Sequence, residues 1–204
     1  QAIQHQNTRL TVVTLRPNVP SVQAQVESFG ARVLPFNHRK PYAGKRFWEL
    51  LRYLRVSSPD VIHTHLSMAN ILGASAGVLA GIPVVSTLHN TKMSTKDDFL
   101  LTTAETFLLR NVVDRIIAVG WETARVQQPR FGSKSVEVIP NAVPIPEQLS
   151  PNEREQLRIE LIGDPTLPLL ISVGRLEPQK GIFDLLDAFT FLQKDCQDVR
   201  LVIA

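Results

Sequence analysis

The densest collection of groups able to do chemistry lies in Ser172-Val173-Gly174-Arg175-Leu176-Glu177-Pro178-Gln179-Lys180-Gly181. An apolar run precedes it, and a helical pattern opens at Gly181-Ile182-Phe183-Asp184. A helix N-terminus presents unpaired N–H groups and the positive end of the helix dipole, so it accepts anions. Arg175 adds a planar fork matched to phosphate oxygens, and Lys180 adds a compact point charge. Together they fit a diphosphate. The spacing is neither a Walker A loop nor a G-x-G-x-x-G fingerprint. The same residues also read as a solvated turn in which Arg175 and Lys180 pair with Glu177 and Asp184.

Histidines form the second group. His89 closes the buried-type run Pro83-Val84-Val85-Ser86-Thr87-Leu88 and is followed by Asn90. It reads either as a group at a ligand crevice or as a structural histidine. In Asp60-Val61-Ile62-His63-Thr64-His65 the two histidines share one strand face, because side chains alternate with period two. A metal there needs a third ligand, and none is signalled. A packed or ligand-facing pair is therefore expected, and no metal. A third group is Lys45-Arg46-Phe47-Trp48-Glu49-Leu50-Leu51-Arg52-Tyr53-Leu54-Arg55. Lys45, Arg46, Trp48, Arg52 and Arg55 could rest on an anionic membrane surface. The alternative is a core-facing helix with a solvated basic edge.

Strand-like and helix-like segments alternate to position these groups. Strands are expected at residues 9–15, 33–36, 61–65, 83–89, 115–119 and 136–139. Helices are expected at 21–29, 45–55, 68–80, 95–112 and 122–128. Gly30 and Gly81 follow helices as C-terminal caps, and Thr95 is the expected N-cap ahead of Asp97 and Asp98. Continuous Val/Ile/Leu strands alternating with helices predict a parallel, doubly wound sheet covered on both faces. Ligands of such sheets bind at the carboxyl ends of the strands, so the residues just after each strand matter most. Pro140, Pro144, Pro146 and Pro151 then crowd a linker. A short helix at 153–161 follows, and a second α/β pattern starts at Leu169: strand 169–173, helix 182–193, strand 199–203. The expected division is a Rossmann-like domain over 1–145, a linker with a short helix over 146–168, and the start of a second domain over 169–204.

The chain has 204 residues, of which 44% are hydrophobic and 20% charged, the balance of a globular protein. Its 22 Lys+Arg and 19 Asp+Glu leave a net charge of +3, too small and too scattered for a nucleic-acid binder. The single cysteine, Cys196, excludes a disulfide within the chain and is expected to be a partly buried thiol. It fits a cytoplasmic setting. The longest apolar candidate, residues 71–85, is interrupted by Gly73, Gly77, Gly81 and Pro83, so no membrane span is expected. The opening reads as the tail of a helix and the close as a strand, so the ends are expected to be those of a piece of a longer protein.

Five segments in order resemble the family 4 retaining glycosyltransferases of the GT-B type, which carry two Rossmann-like domains. They are PDVIHTH at 59–65, GIPVVSTLH at 81–89, RIIAV at 115–119, VIPNAV at 138–143 and VGRLEPQKG at 173–181. The fourth is similar to the family's interdomain I-P-N-G-V, the last to its V-G-R-L-x-x-x-K-G. The resemblance implies transfer of a sugar from a nucleoside-diphosphate sugar held between two domains, with retention of configuration. It implies that Arg175 and Lys180 hold the donor diphosphate and that His89 acts at the sugar. His65, Asn90 and Asn141 are candidates for the sugar or acceptor cleft. No metal or other cofactor is expected, and the acceptor is expected to be a saccharide or a lipid-linked one. Location is expected to be cytoplasmic, with peripheral contact at the inner membrane face. Ala142 stands where the family usually has Gly, and Gly120 where Ser is common. The family's first strand, its Gly-rich loop and its later Glu pair are expected outside residues 1–204, so this chain alone is expected to be inactive. Two other readings stay open: a GT-B sugar-nucleotide epimerase, and a non-catalytic nucleotide- or sugar-binding module.

Overall fold

A computed structural model describes residues 8–15, 20–36, 43–91, 99–143 and 145–204. The chain divides into two compact units, Gln1–Ala142 and Val143–Ala204. The first unit runs β1 (Thr11–Thr14), α1 (Pro20–Ser28), β2 (Arg32–Pro35), α2 (Ala43–Ser57), β3 (Ile62–His65), α3 (Ser67–Ala80), β4 (Val84–Leu88), α4 (Phe99–Asn111), β5 (Arg115–Ala118), α5 (Trp121–Gln127) and β6 (Val136–Val138). A 3-10 turn, Gln128–Phe131, follows α5. The expected cap of α4, Thr95, lies with Asp97 and Asp98 outside the described residues.

Among the described residues every strand pair is parallel. The expected single sheet of the first unit is two ladders among the described residues: β1-β2, and β3-β4-β5-β6 in that order. The apolar face is nevertheless shared. Val13 and Leu15, at β1, and Ile62 of β3 all pack on a cluster formed by Leu50, Leu51 and Leu54 of α2 with Leu72 and Ala76 of α3. Burial needs only a common helix pair, whereas a ladder needs adjacent strands about 4.8 Å apart. A second cluster, Ala74, Val84, Leu88, Leu109, Val113, Ile116 and Phe131, joins α3 and α4 to β4 and β5.

The helix α3 sits hard on the sheet because it lacks side chains where it touches. A Cβ on Gly73 would stand 2.4 Å from Thr64 Cγ2, and one on Gly77 2.4 Å from Val84 Cγ2. Gly81 closes the helix at φ 71°, its N–H bonding to the Gly77 and Val78 carbonyls. The helix α2 is core-facing: its leucines are buried while Trp48 is 66% exposed. Lys45 reaches Glu49 at 3.9 Å, and Arg55 Nη2 donates to the Leu79 carbonyl at 3.2 Å.

The second unit contains α6 (Pro151–Ile162), β7 (Leu169–Ser172), α7 (Ile182–Asp195) and β8 (Arg200–Ile203), with β7 and β8 paired in parallel. Ser150 and Glu153 form a reciprocal capping box at the start of α6. Arg158 ties the end of that helix to the Pro165 carbonyl at 2.7 Å and also donates to the Leu167 carbonyl. Cys196 is exposed, contrary to the partly buried thiol expected; it caps the C-terminus of α7 rather than facing a core.

Candidate functional site

Parallel pairing brings the carboxyl ends of β3 and β4 to one edge of the sheet. The register sets His63 beside Val85 and His65 beside Thr87. His63 and His65 therefore share a face, with ring centroids 4.3 Å apart. His89, one residue beyond β4, joins them: its Nε2 shares a hydrogen bond with His65 Nδ1 at 2.8 Å, and the two ring centroids lie 5.1 Å apart. His63 Nε2 bonds Thr87 Oγ1 at 2.6 Å. A bond between two neutral imidazoles requires one nitrogen to carry hydrogen and the other to be bare, so the contact couples the tautomers of His65 and His89. Partial burial is the largest cause holding the His63 and His65 pKa values below 6.5, with repulsion from the neighbouring histidines adding to it.

Directly after His65 the backbone is strained. Leu66 has φ 73° and ψ 154°, a region nearly reserved for glycine. Its carbonyl accepts from the Asn70 N–H at 2.9 Å. The chain thus turns sharply at the end of β3 to start α3, which leaves the His65 ring at the edge.

A buried polar chain runs beneath this edge. Thr64 Oγ1 donates to Asn70 Oδ1 at 2.8 Å and also lies 2.7 Å from Ser86 Oγ. Asn70 Nδ2 donates to Glu105 Oε1 at 2.9 Å. The other Glu105 oxygen pairs with Arg130 Nη2 at 3.3 Å. Arg130 Nη1 donates to Gln127 Oε1 at 2.7 Å. Gln127 Nε2 donates to the backbone carbonyls of Asn90, at 3.0 Å, and Thr91, at 3.4 Å. Asn70, Glu105 and Gln127 are all buried.

In the second unit, the loop after β7 carries Arg175 and Lys180. Arg175 is exposed and pairs with Glu177 Oε1 at 2.8 Å. Lys180 ends a 3-10 turn, Pro178–Lys180, that precedes the helix. Gly181 turns the chain at φ 64° and serves as N-cap of α7. The first free N–H groups of α7 therefore follow the two cations directly. Asp184 sits in the first turn of that helix.

Of the candidate residues, His65 and His89 are in direct contact, and Asn90 follows on the same chain end. Asn141 lies on exposed chain beyond β6. Arg175 and Lys180 share one loop of the second unit. Among the described residues no group of three or more His, Cys, Asp or Glu side chains is arranged to hold a metal. Sequence reading missed Thr87, Asn70, Glu105, Gln127 and Arg130. One signal was available: Leu108 and Leu109 stand three and four residues after Glu105 on α4, so a carboxylate occupies the stripe that packs on the core.

The family model described as Glycosyltransferase Family 4 matches residues 1–146. The fold is similar to that of Anabaena HepE, solved in complex with UDP-glucose, with a TM-score of 0.79 at 20% identity over 95% of this chain and 52% of that one. Sucrose-phosphate synthase from Thermosynechococcus elongatus gives 0.64 at 13% identity over 97% and 62%. Acinetobacter baumannii MurG gives 0.57 at 12% identity over 100% and 59%. At such identities the likeness is one of fold, and the chain spans about half the length of HepE. No curated protein matches the chain. Parallel sheets flanked by helices and a family match across most of the sequence lead to one conclusion: the chain belongs to Glycosyltransferase Family 4.

Proposed function

We infer that the protein transfers a sugar, of the hexose class, from a nucleoside-diphosphate sugar to a saccharide or lipid-linked acceptor with retention of configuration. The family match over residues 1–146 carries this reading. HepE, a fold relative solved with UDP-glucose, supports a nucleotide-sugar donor.

In this reading Arg175, Lys180 and the N-terminus of α7 bind the diphosphate and neutralise the charge that builds on it as the glycosidic bond breaks. The exposed Arg175–Glu177 pair does not block this, because such pairs contribute only about 0–1 kcal/mol and a diphosphate offers a stronger partner. Two cations and a helix N-terminus supply countercharge, so no metal is called for. His89, supported by His65, lines the sugar site; Asn90 and Asn141 belong to the sugar or acceptor cleft. The outer edge of α2, with exposed Lys45, Trp48, Arg52 and Arg55 and the half-buried Arg46 beside them, offers a peripheral contact to an anionic membrane, which vesicle co-sedimentation with and without anionic lipid would detect. Among the described residues no helix is long and apolar enough to cross a membrane.

The deciding experiment follows nucleoside diphosphate release by the whole protein, with and without acceptor saccharides or lipid-linked sugars. Release only with an acceptor is expected. Conversion of the donor without acceptor would make the protein an epimerase, and binding without turnover would make it a binding module.

A further inference from the structure

The buried chain of polar groups has two ends, and both grip segments that carry the histidines. At one end Thr64, between His63 and His65, bonds Asn70 and Ser86. At the other, Gln127 holds the carbonyls of Asn90 and Thr91, the two residues after His89. Between the ends lie α3, α4, the 3-10 turn and α5. We propose that Gln127, oriented by Arg130 and Glu105, is a positioning residue that clamps the chain after β4 and thereby holds His89 within hydrogen-bond reach of His65. The importance of this clamp for sugar transfer rests on the reading of His89 given above.

Three observations support a positioning role over simple core filling. A largely buried ion pair such as Glu105–Arg130, with Glu105 buried and Arg130 partly so, is seldom more stabilising than apolar side chains of the same size. What a fully satisfied polar network adds is a single geometry. Each member here has its partners: Glu105 uses one oxygen for Asn70 and the other for Arg130. Arg130 also donates to Thr106 Oγ1 at 2.8 Å, which fixes the guanidinium plane against α4. Finally, the network ends on backbone carbonyls. Asn90 is exposed, and its carbonyl is held by a side chain from a helix 37 positions along the chain. A small shift of such a segment moves the His89 ring out of contact, and misplacements of about 1 Å can slow catalysis on the order of a hundredfold.

Gln127→Glu separates the clamp from the rest of the network. It keeps an acceptor for Arg130 but replaces the amide hydrogens aimed at Asn90 and Thr91 with a carboxylate oxygen. The test is long-range proton–nitrogen correlation spectra of the histidine rings in the full chain. The wild type is expected to show one hydrogen-bearing and one bare nitrogen in the His65–His89 contact. In folded Gln127→Glu this pattern should average between tautomers. In the whole protein, turnover should fall about tenfold or more while nucleoside diphosphate affinity stays within about twofold, because Arg175 and Lys180 belong to the other unit. An unchanged ring pattern in folded Gln127→Glu would overturn the clamp. A second measurement needs no variant: the Gln127 side-chain amide protons of the wild type should be protected from solvent exchange, and exchange at the rate of free glutamine would overturn the proposal on its own. If the ring pattern changes and turnover does not, the clamp stands and the catalytic reading of His89 falls.

Discussion

At the scale of single residues, the histidine edge ties stability to pH. His63 and His65 have pKa values below 6.5 in the folded chain, chiefly because burial disfavours their charged forms. The unfolded chain therefore binds protons that the folded chain resists. Their contribution is fully present above pH 6.5 and is lost as pH falls below it through the folded values. Thermal melts from pH 8 to pH 5 should show a midpoint that is flat at first and then drops, with a shallower drop in the double variant His63→Gln, His65→Gln. An identical pH profile in that variant would remove the histidines as the cause. Arg175 and Lys180 call for a different measurement. Charge-assisted hydrogen bonds contribute about 1.5–3 kcal/mol each, so Arg175→Ala or Lys180→Ala should weaken UDP or GDP binding to the whole protein roughly tenfold to a hundredfold. Stability should barely change, because both side chains are exposed. Calorimetric titration reads the affinity; unchanged binding in both variants returns the loop to a solvated turn.

At the scale of elements, α3 is the helix on which the site depends, since it follows His65 and carries Asn70. Its closeness to the sheet comes from Gly73 and Gly77. An alanine at Gly77 would meet Val84 Cγ2 at 2.4 Å and Ile62 Cδ1 at 3.0 Å. Overpacking of this kind costs about 1–3 kcal/mol, while the gain in helix propensity from Gly to Ala is only about 1 kcal/mol. Gly77→Ala should therefore lower the denaturant midpoint. Gly44→Ala, in α2 where nothing lies within 4 Å of the added carbon, should leave it unchanged or raise it. A midpoint for Gly77→Ala equal to that of Gly44→Ala would mean that α3 can lift from the sheet at little cost. The equivalent clash at Gly73 falls on Thr64, whose hydroxyl belongs to the buried network, so that substitution would also disturb the histidine edge.

At the scale of the whole molecule, the chain is two compact units, and the segment between β6 and β7 carries Pro140, Pro144, Pro146 and Pro151. Val143 and Ile145 are 80% and 95% exposed, so apolar packing does not hold this stretch. We propose it as the interdomain linker. Limited proteolysis should cut first between Asn141 and Leu169 and release two fragments that resist further digestion. First cleavage between Pro83 and Val119 would contradict that boundary.

Much of this was legible from residues alone, because local physics decides it. Period-two alternation put His63 and His65 on one face; continuous Val/Ile/Leu strands demanded a parallel sheet buried on both faces; glycines marked helix ends at Gly30 and Gly81. The cation-bearing loop before α7 was readable because its residues are contiguous. The 3-10 turn inside it was not, since three residues closing one turn leave no periodic pattern. Contacts between distant positions lay beyond the sequence. His65 meets His89 across 24 positions and Asn70 meets Glu105 across 35, and only the pairing of β3 with β4 and the packing of α3 on α4 decide those distances. The strain at Leu66 likewise belongs to the fold: leucine has no local reason to take φ 73° and does so because β3 and α3 are both fixed by their packing. Residue types determined which chemistry was available, and the tertiary structure decided which groups were close enough to share a proton.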